Sequence, residues 1–139
     1  MSSDFAARVD KFAREAPERG HQVCLKIAFE LFRQVINATP VDTGRLRGNW
    51  QTAINSKAVG TVESVDTARD GSTVQAAKIV FGAEQGATLW LSNNLPYVQR
   101  IEFEGWSSQA PQGMVRLSMQ RTADHVQRMA AQSRGEPIL

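Results

Sequence analysis

A long amphipathic segment over residues 18–38 constrains the fold of this chain more than any other feature. Its apolar residues recur every three or four positions, the spacing that places them on one broad face of an α-helix. They are Cys24, Ile27, Ala28, Leu31, Phe32, Val35 and Ile36. Pro40 disfavours helical geometry at the residue before it, so the segment is predicted to be a helix from about Glu18 to Ala38 that stops at Thr39.

Two shorter patterns predict helices on either side of the long one. Phe5, Val9, Phe12 and Ala16 recur at helical spacing and predict an amphipathic helix over residues 4–16. After Ser72, the apolar residues of 74–81 also follow helical spacing, although residues 78–81 alone would suit a strand. The helix is the favoured interpretation, preceded by a loop over residues 66–72.

Two strands and two further helices complete the predicted elements. Residues 50–54 alternate apolar and polar side chains and residues 88–92 form a short apolar run, so both predict strands, while residues 58–65 suit a second strand or an extended arm. A helix is predicted over residues 96–103 and another from about residue 115, with Val115, Met119, Thr122, Val126 and Met129 along one face. The predicted fold is α+β: a small, mostly antiparallel sheet packed by a long N-terminal helix pair and a C-terminal helix. The prediction is one domain over residues 1–139, with 133–139 a frayed tail.

Composition narrows the classes of function. The chain has 139 residues, of which 42% are hydrophobic, and a single cysteine, which indicates a reducing compartment. Neither a signal peptide nor a membrane span is recognisable, so we expect a soluble protein made in the cytoplasm. The net charge is +2 and the basic residues are spread along the chain, a pattern that does not favour a nucleic-acid binder. Twelve of the 16 basic residues are Arg, a side chain suited to protein interfaces.

Catalytic and metal-binding patterns are absent from the sequence. His21 and Cys24 have acceptable spacing for two zinc ligands, but a closed site needs four ligands, and a surface His with a buried Cys is the favoured interpretation. Glu102 and Glu104 are two residues apart on a helix end and do not face one another as an acid and base would. Nucleophile and phosphate-binding motifs are missing. The sequence therefore predicts no catalytic residue, metal site or cofactor.

Two turn-rich segments carry the residues that are candidates for a protein interface. In the turn over 40–47, Asp42 is expected to accept hydrogen bonds from backbone N–H groups, and Arg45 and Arg47 are expected to project outward. In the loop over 105–113, Trp106 is the candidate aromatic anchor, whereas Trp90 and Tyr97 are expected to fill the core. The predicted interface residues are Pro40, Asp42, Thr43, Arg45, Arg47, Trp106, Gln109 and Pro111.

Both segments belong to motifs that resemble those of a phage protein family. Residues 39–47 read TPVDTGRLR and are followed by Asn49-Trp50. Residues 93–97 read NNLPY, and residues 107–116 read SSQAPQGMVR. Together, in this order and about fifty residues apart, they resemble the motifs of a neck and tail-completion family of long-tailed, noncontractile bacteriophages.

The resemblance implies a structural virion protein at the head-to-tail junction, assembled into a ring and without enzymatic activity. Its implied partners are other copies of itself and further neck or tail proteins, and it implies passing contact with DNA in a channel. It implies no contact with a membrane and no small-molecule substrate. In a closed ring one surface of each subunit meets a different surface of the next, and the two turn-rich segments are hypothesised to lie on such surfaces. The alternative from composition is a small nucleic-acid-associated module, suggested by the pI near 9.0 and the Arg content.

Overall fold

The computed structural model describes Ala7, residues 17–63 and residues 71–133. The elements of these residues are, in chain order, α1 (Pro17–Ala38), α2 (Arg45–Gly48), β1 (Gln51–Ile54), α3 (Gly71–Phe81), β2 (Leu89–Ser92), α4 (Val98–Phe103) and α5 (Val115–Ser133). The helix predicted over residues 4–16, apart from Ala7, and the tail after residue 133 lie outside the described residues. Part of the loop predicted over 66–72 lies outside them too.

Helix α1 is the central element of the core. Phe32, Val35 and Ile36 are all buried, and their spacing places them on one face of the helix. Helix α3 packs against α1 and contributes Ala76 and Val80, neither of which is exposed at all. Helix α5 also contacts α1. The long predicted helix is therefore confirmed, and so is the favoured helical interpretation of residues 72–81.

The sheet has two antiparallel strands. Strands β1 and β2 pair so that Gln51 lies opposite Ser92 and Ile54 opposite Leu89. Helix α3 contacts β1, and Leu89 and Leu91 pack against the hydrophobic core. The α+β fold class is confirmed. Residues 58–63 form no strand, which leaves the extended arm of the two alternatives for that part of the segment.

The prediction that Trp90 fills the core is wrong. Its side chain is 39% exposed because neighbouring residues of a strand point to opposite faces, and the core side of β2 is occupied by Leu89 and Leu91. A two-stranded sheet has only one covered face here, so Trp90 stays on the outer one. Tyr97, the other aromatic residue assigned to the core, is half-buried and does pack against it.

The end of α1 is held by side chains from the turn that follows it. The last four carbonyl groups of a helix lack partners within the helix, and α1 has no basic residue in its last turn. Arg47 supplies a positive charge and two donors at this end. Its Nε donates at 3.2 Å to the Ile36 carbonyl oxygen, which also accepts from the Thr39 backbone N–H, and its Nη2 donates at 3.3 Å to the Thr39 carbonyl oxygen directly after the helix. The prediction that Arg47 projects outward is therefore wrong, because it is 7% exposed and turned back onto the helix.

Trp50 completes this buried arrangement. Its indole Nε1 donates to the Thr39 hydroxyl at 2.7 Å, and that hydroxyl donates in turn to the Val35 carbonyl oxygen at 2.7 Å. Ser72, at the start of α3, donates from its hydroxyl to the Arg47 carbonyl oxygen at 2.9 Å. These side chains fix the positions of α1, β1 and α3 relative to one another.

Replacing the buried arginine is expected to destabilise the fold far more than replacing its exposed neighbour. Arg47→Met removes two buried hydrogen bonds at the end of α1, those to the carbonyl oxygens of Ile36 and Thr39, and Ile36 keeps only the Thr39 backbone N–H as donor. We expect a loss of about 2–4 kcal/mol in the free energy of unfolding. Arg45→Met removes an exposed side chain of the same type from the same short helix and is expected to change stability by less than about 0.5 kcal/mol. Urea denaturation of both variants measures the difference. Equal losses would contradict the assignment of Arg47 to the end of α1.

Candidate functional site

The two predicted interface segments meet in space through one glutamine. The side-chain Oε1 of Gln109 accepts a hydrogen bond from the Val41 backbone N–H at 3.0 Å, and its Nε2 donates to the Val41 carbonyl oxygen at 3.4 Å. The amide thus pairs with both polar groups of one backbone residue, as a neighbouring strand would. Segments that are 68 residues apart in sequence are joined in this way.

Between the two segments lies an open groove of about 500 Å³. Its apolar part is contributed by Leu46, Tyr97 and Ile101. Six of the eight predicted interface residues line it: Pro40, Asp42, Thr43, Arg45, Trp106 and Gln109. Arg47 is buried at the end of α1, and Pro111 lies outside the groove.

The wall formed by residues 40–46 depends on a left-handed glycine. Gly44 has a φ of 88°, a conformation that costs a residue with a side chain more than it costs glycine, and it directly precedes α2. The Thr43 hydroxyl accepts a hydrogen bond from the Arg45 backbone N–H at 3.3 Å, which is the role predicted for Asp42. The Asp42 and Arg45 side chains are exposed, so the rim of the groove presents one acid and one base.

The opposite wall carries the exposed aromatic residue. Trp106 is 59% exposed, and the guanidinium carbon of Arg100 lies 5.3 Å from the centroid of its ring, within the range of a cation–π interaction. Gly105 has a φ of 60°, and a Cβ there would lie 3.2 Å from the Pro111 carbonyl oxygen. The sequence thus brings Trp106 to the surface on a tight turn that a larger residue would strain.

Asparagine side chains attach this region to the rest of the chain. Asn93 Nδ2 donates to the Leu46 carbonyl oxygen at 2.9 Å, next to the first wall of the groove. Asn94 Nδ2 donates to the carbonyl oxygens of Ala58 at 3.1 Å and Gly60 at 2.9 Å. The motif over residues 39–50 and the motif that begins at Asn93 are therefore joined by a side chain to backbone hydrogen bond.

Glu102 has a structural role that the sequence pattern did not predict. It is 6% exposed and accepts hydrogen bonds from the backbone N–H groups of Met114 at 2.8 Å and Val115 at 2.6 Å. Arg116 adds an ion pair from its Nε at 3.0 Å and also donates to the Glu102 carbonyl oxygen. Glu102 therefore caps the N-terminus of α5, the end of a helix that favours negative charge.

A signal for this cap was present in the sequence. Residues 112–114 include no Ser, Thr, Asp or Asn, the usual capping residues, so the first N–H groups of α5 needed an acceptor from elsewhere. Gly113 leaves room for it: its φ is 89°, and a Cβ there would lie 2.6 Å from the Glu102 carbonyl oxygen. Glu102 directly follows Ile101 of the groove, so the cap also positions the groove wall.

The charge state of Glu102 follows from these contacts. Burial raises the pKa of this carboxyl, but the hydrogen bonds from Val115, Met114 and Arg116 together outweigh burial and lower the pKa below its ordinary value. The carboxylate is therefore ionised at neutral pH. It acts as a fixed negative charge that stabilises the helix end.

The residues considered for metal binding do not form a metal site in the part of the chain that the structure describes. No group of three or more His, Cys, Asp or Glu side chains is placed there to hold a metal ion. His21 Nε2 lies 3.2 Å from the Ala83 carbonyl oxygen, and Cys24 is half-buried.

Among the described residues, no helix is both long enough and apolar enough to cross a membrane.

A family model matches residues 3–103, and its description is "Bacteriophage HK97-gp10, putative tail-component". The chain belongs to this HK97-gp10-like family. The match confirms the resemblance to a phage family. It assigns the chain to the bacteriophage tail components. A search of curated proteins found no significant match, and neither did a search of solved structures.

The match to the HK97-gp10-like family covers only part of the groove. Residues 40–46, Tyr97 and Ile101 fall inside the matched range, whereas Trp106 and Gln109 fall beyond its end at residue 103. One wall and the apolar part therefore belong to the matched region. The aromatic wall is contributed by the part of the chain that follows it.

The cap at α5 gives this HK97-gp10-like chain a stability that depends on pH. Because the folded-state pKa of Glu102 is lowered, its stabilising effect is present above the ordinary value of 4.5 and is lost as the pH falls through the folded-state value. We expect Glu102→Gln to cost about 1–3 kcal/mol at pH 7, and the difference from the unchanged protein to shrink on acidification.

Glu104→Gln is the matched control, because Glu104 is exposed and two residues away. Its stability is expected to follow that of the unchanged protein at each pH. Urea denaturation between pH 3 and pH 7 measures both variants. A cost of Glu102→Gln that does not vary with pH would contradict the cap as an ionised group.

Proposed function

We propose that the chain is a neck or tail-completion protein at the head-to-tail junction of a tailed phage or prophage, and that it assembles there into a ring. In this role it is a structural virion component with no catalytic activity, cofactor or small-molecule substrate. The observation that carries the proposal is the groove, because it gathers six of the eight predicted interface residues from two distant segments into one surface.

The groove has the features of a preorganised protein contact. Leu46 and Ile101 are almost fully buried and fix its apolar part, whereas Trp106 stands exposed at its edge. Aromatic residues at the centre of an interface contribute a large share of binding energy, and a rigid surface loses little entropy on binding. A groove on one side of the subunit also suits the heterologous contacts from which closed rings are built.

The use of arginine argues against the nucleic-acid alternative, which finds no support in the family match either. Arg47 is buried on backbone carbonyl groups, Arg116 pairs with Glu102 at 3.0 Å, and Arg33 pairs with Glu30 at 2.6 Å. These arginines hold the fold together or are neutralised by a carboxylate. They do not add to a basic face of the kind that binds phosphate groups.

The proposal includes the partners and the location that the resemblance implied. The chain would contact copies of itself and other neck or tail proteins within the virion, after synthesis in the host cytoplasm, and would be one domain over residues 1–139. Passing contact with DNA inside the ring remains a prediction.

Substitutions at the groove are expected to block assembly without unfolding the chain. Trp106→Ala removes the exposed aromatic side chain and Arg45→Glu reverses the exposed charge, so both variants should keep their circular dichroism spectrum but fail to join virions. The measurement is complementation of a phage or lysogen that lacks the gene, scored by the fraction of joined particles in electron micrographs.

Two variants outside the groove serve as matched controls. Trp90→Ala removes a tryptophan that is 39% exposed on the outer face of the sheet, and Arg121→Glu reverses an exposed charge on α5. Both are expected to restore joined particles. Joined particles from the groove variants as well would show that this surface is not the contact that assembly needs.

A further inference from the structure

The groove has a chemical character that a short segment of mixed polarity would match. Its volume of about 500 Å³ is sufficient for a few residues, and Leu46, Tyr97 and Trp106 offer apolar and aromatic contacts. Asp42 and Arg45 are both exposed at its rim. The complementary occupant therefore carries apolar residues next to one base and one acid.

Residues 134–139 of this chain have that composition. They read Arg-Gly-Glu-Pro-Ile-Leu, with a base and an acid two residues apart followed by three apolar residues. Arg134 is complementary to Asp42, and Glu136 to Arg45. Proline favours the extended polyproline conformation, which binds to grooves lined by aromatic side chains.

Within one copy, the charged residues of this segment are too far from the groove beside the start of α5 to pair at its rim. Helix α5 begins at Val115, beside Glu102 and the groove, and the rigid helix carries the chain about 27 Å away from this end at 1.5 Å per residue. Glu136 follows the last residue of α5 by three positions, so even a fully extended chain takes it only about 10 Å from Ser133. The groove that it can enter is that of another copy.

We propose that residues 134–139 of one subunit bind in the groove of the next subunit and thereby link neighbouring subunits of the assembly. The inference rests on the self-assembly proposed above, and it identifies the two unlike surfaces that a heterologous contact requires. Glu136 pairs with Arg45 and Arg134 with Asp42, while Pro137 and Ile138 lie against Trp106 and Tyr97.

Disulfide trapping between full-length chains tests the proposal directly. Cys24→Ala removes the native thiol, and two chains are then made in this background. One carries Ser107→Cys, at a residue that also lines the groove, and the other carries Ile138→Cys within residues 134–139. Mixed under mild oxidation, they are expected to form a covalent heterodimer in higher yield than either chain alone forms a homodimer. A third chain with Ser3→Cys is the control for the N-terminal residues, which also lie outside the described ranges.

The outcomes separate this inference from the proposed function. If no Ser107–Ile138 cross-link forms, or if Ser3→Cys reacts with the groove instead, the tail is not the occupant and the inference is overturned. Light scattering on the unmodified chain then tests the proposed ring. Assemblies larger than a monomer would support ring formation. A monomer at all concentrations, alone and with virion proteins, would contradict ring formation as well.

Charge exchange provides a second, independent test. Arg45→Glu and Glu136→Arg are each expected to weaken self-association roughly tenfold, because each places like charges across the contact. The double variant restores the opposite charges and is expected to recover most of the loss. Arg121→Glu combined with Glu136→Arg is the matched control and is expected to show no recovery. Equal self-association in all of these variants would overturn the inference.

Discussion

The structure depends on the way the carbonyl end of its longest helix is capped. Helix α1 ends with no basic residue of its own in the last turn. The guanidinium of Arg47, from the following turn, binds the carbonyl group of Ile36 in that last turn and the carbonyl group of Thr39 directly after the helix. Trp50 and Thr39 join this cap by a buried hydrogen bond of 2.7 Å. Because these contacts run from the helix into the turn, they hold residues 40–46 in place. One wall of the groove is thus set by the same interaction that ends the helix.

Much of the fold could be predicted from the spacing of apolar residues, because that spacing reflects local geometry. The long helix and both strands were predicted to within about one residue of their observed bounds, and the helix over residues 71–81 to within about two. The errors concern partners that are distant in sequence. Arg47 looked like an exposed turn residue, since nothing local shows that its guanidinium reaches Ile36. Glu102 was missed as a cap because the helix that it caps begins 13 residues later.

In the candidate site, too, the local turn segments could be predicted, whereas the long-range hydrogen bonds that join them could not. Its residues were chosen from two turn-rich segments, and six of the eight do line one groove. What brings them together is the pairing of Gln109 with the backbone of Val41 and of Asn93 with that of Leu46, across 68 and 47 residues. Spacing along the sequence carries no information about such pairings. The family match likewise ends at residue 103, before the aromatic wall, so the wall that completes the groove lies in the part of the chain outside that match.

If the groove is a contact between subunits in the virion, electron cryo-microscopy of joined particles, reconstructed at the head-to-tail junction, will show it. We expect copies of this chain arranged in a ring, with residues 40–46 and 105–109 of each copy covered by density from the next copy. A reconstruction in which the chain is present and that groove faces open solvent in every copy would show that the groove is not the contact between subunits.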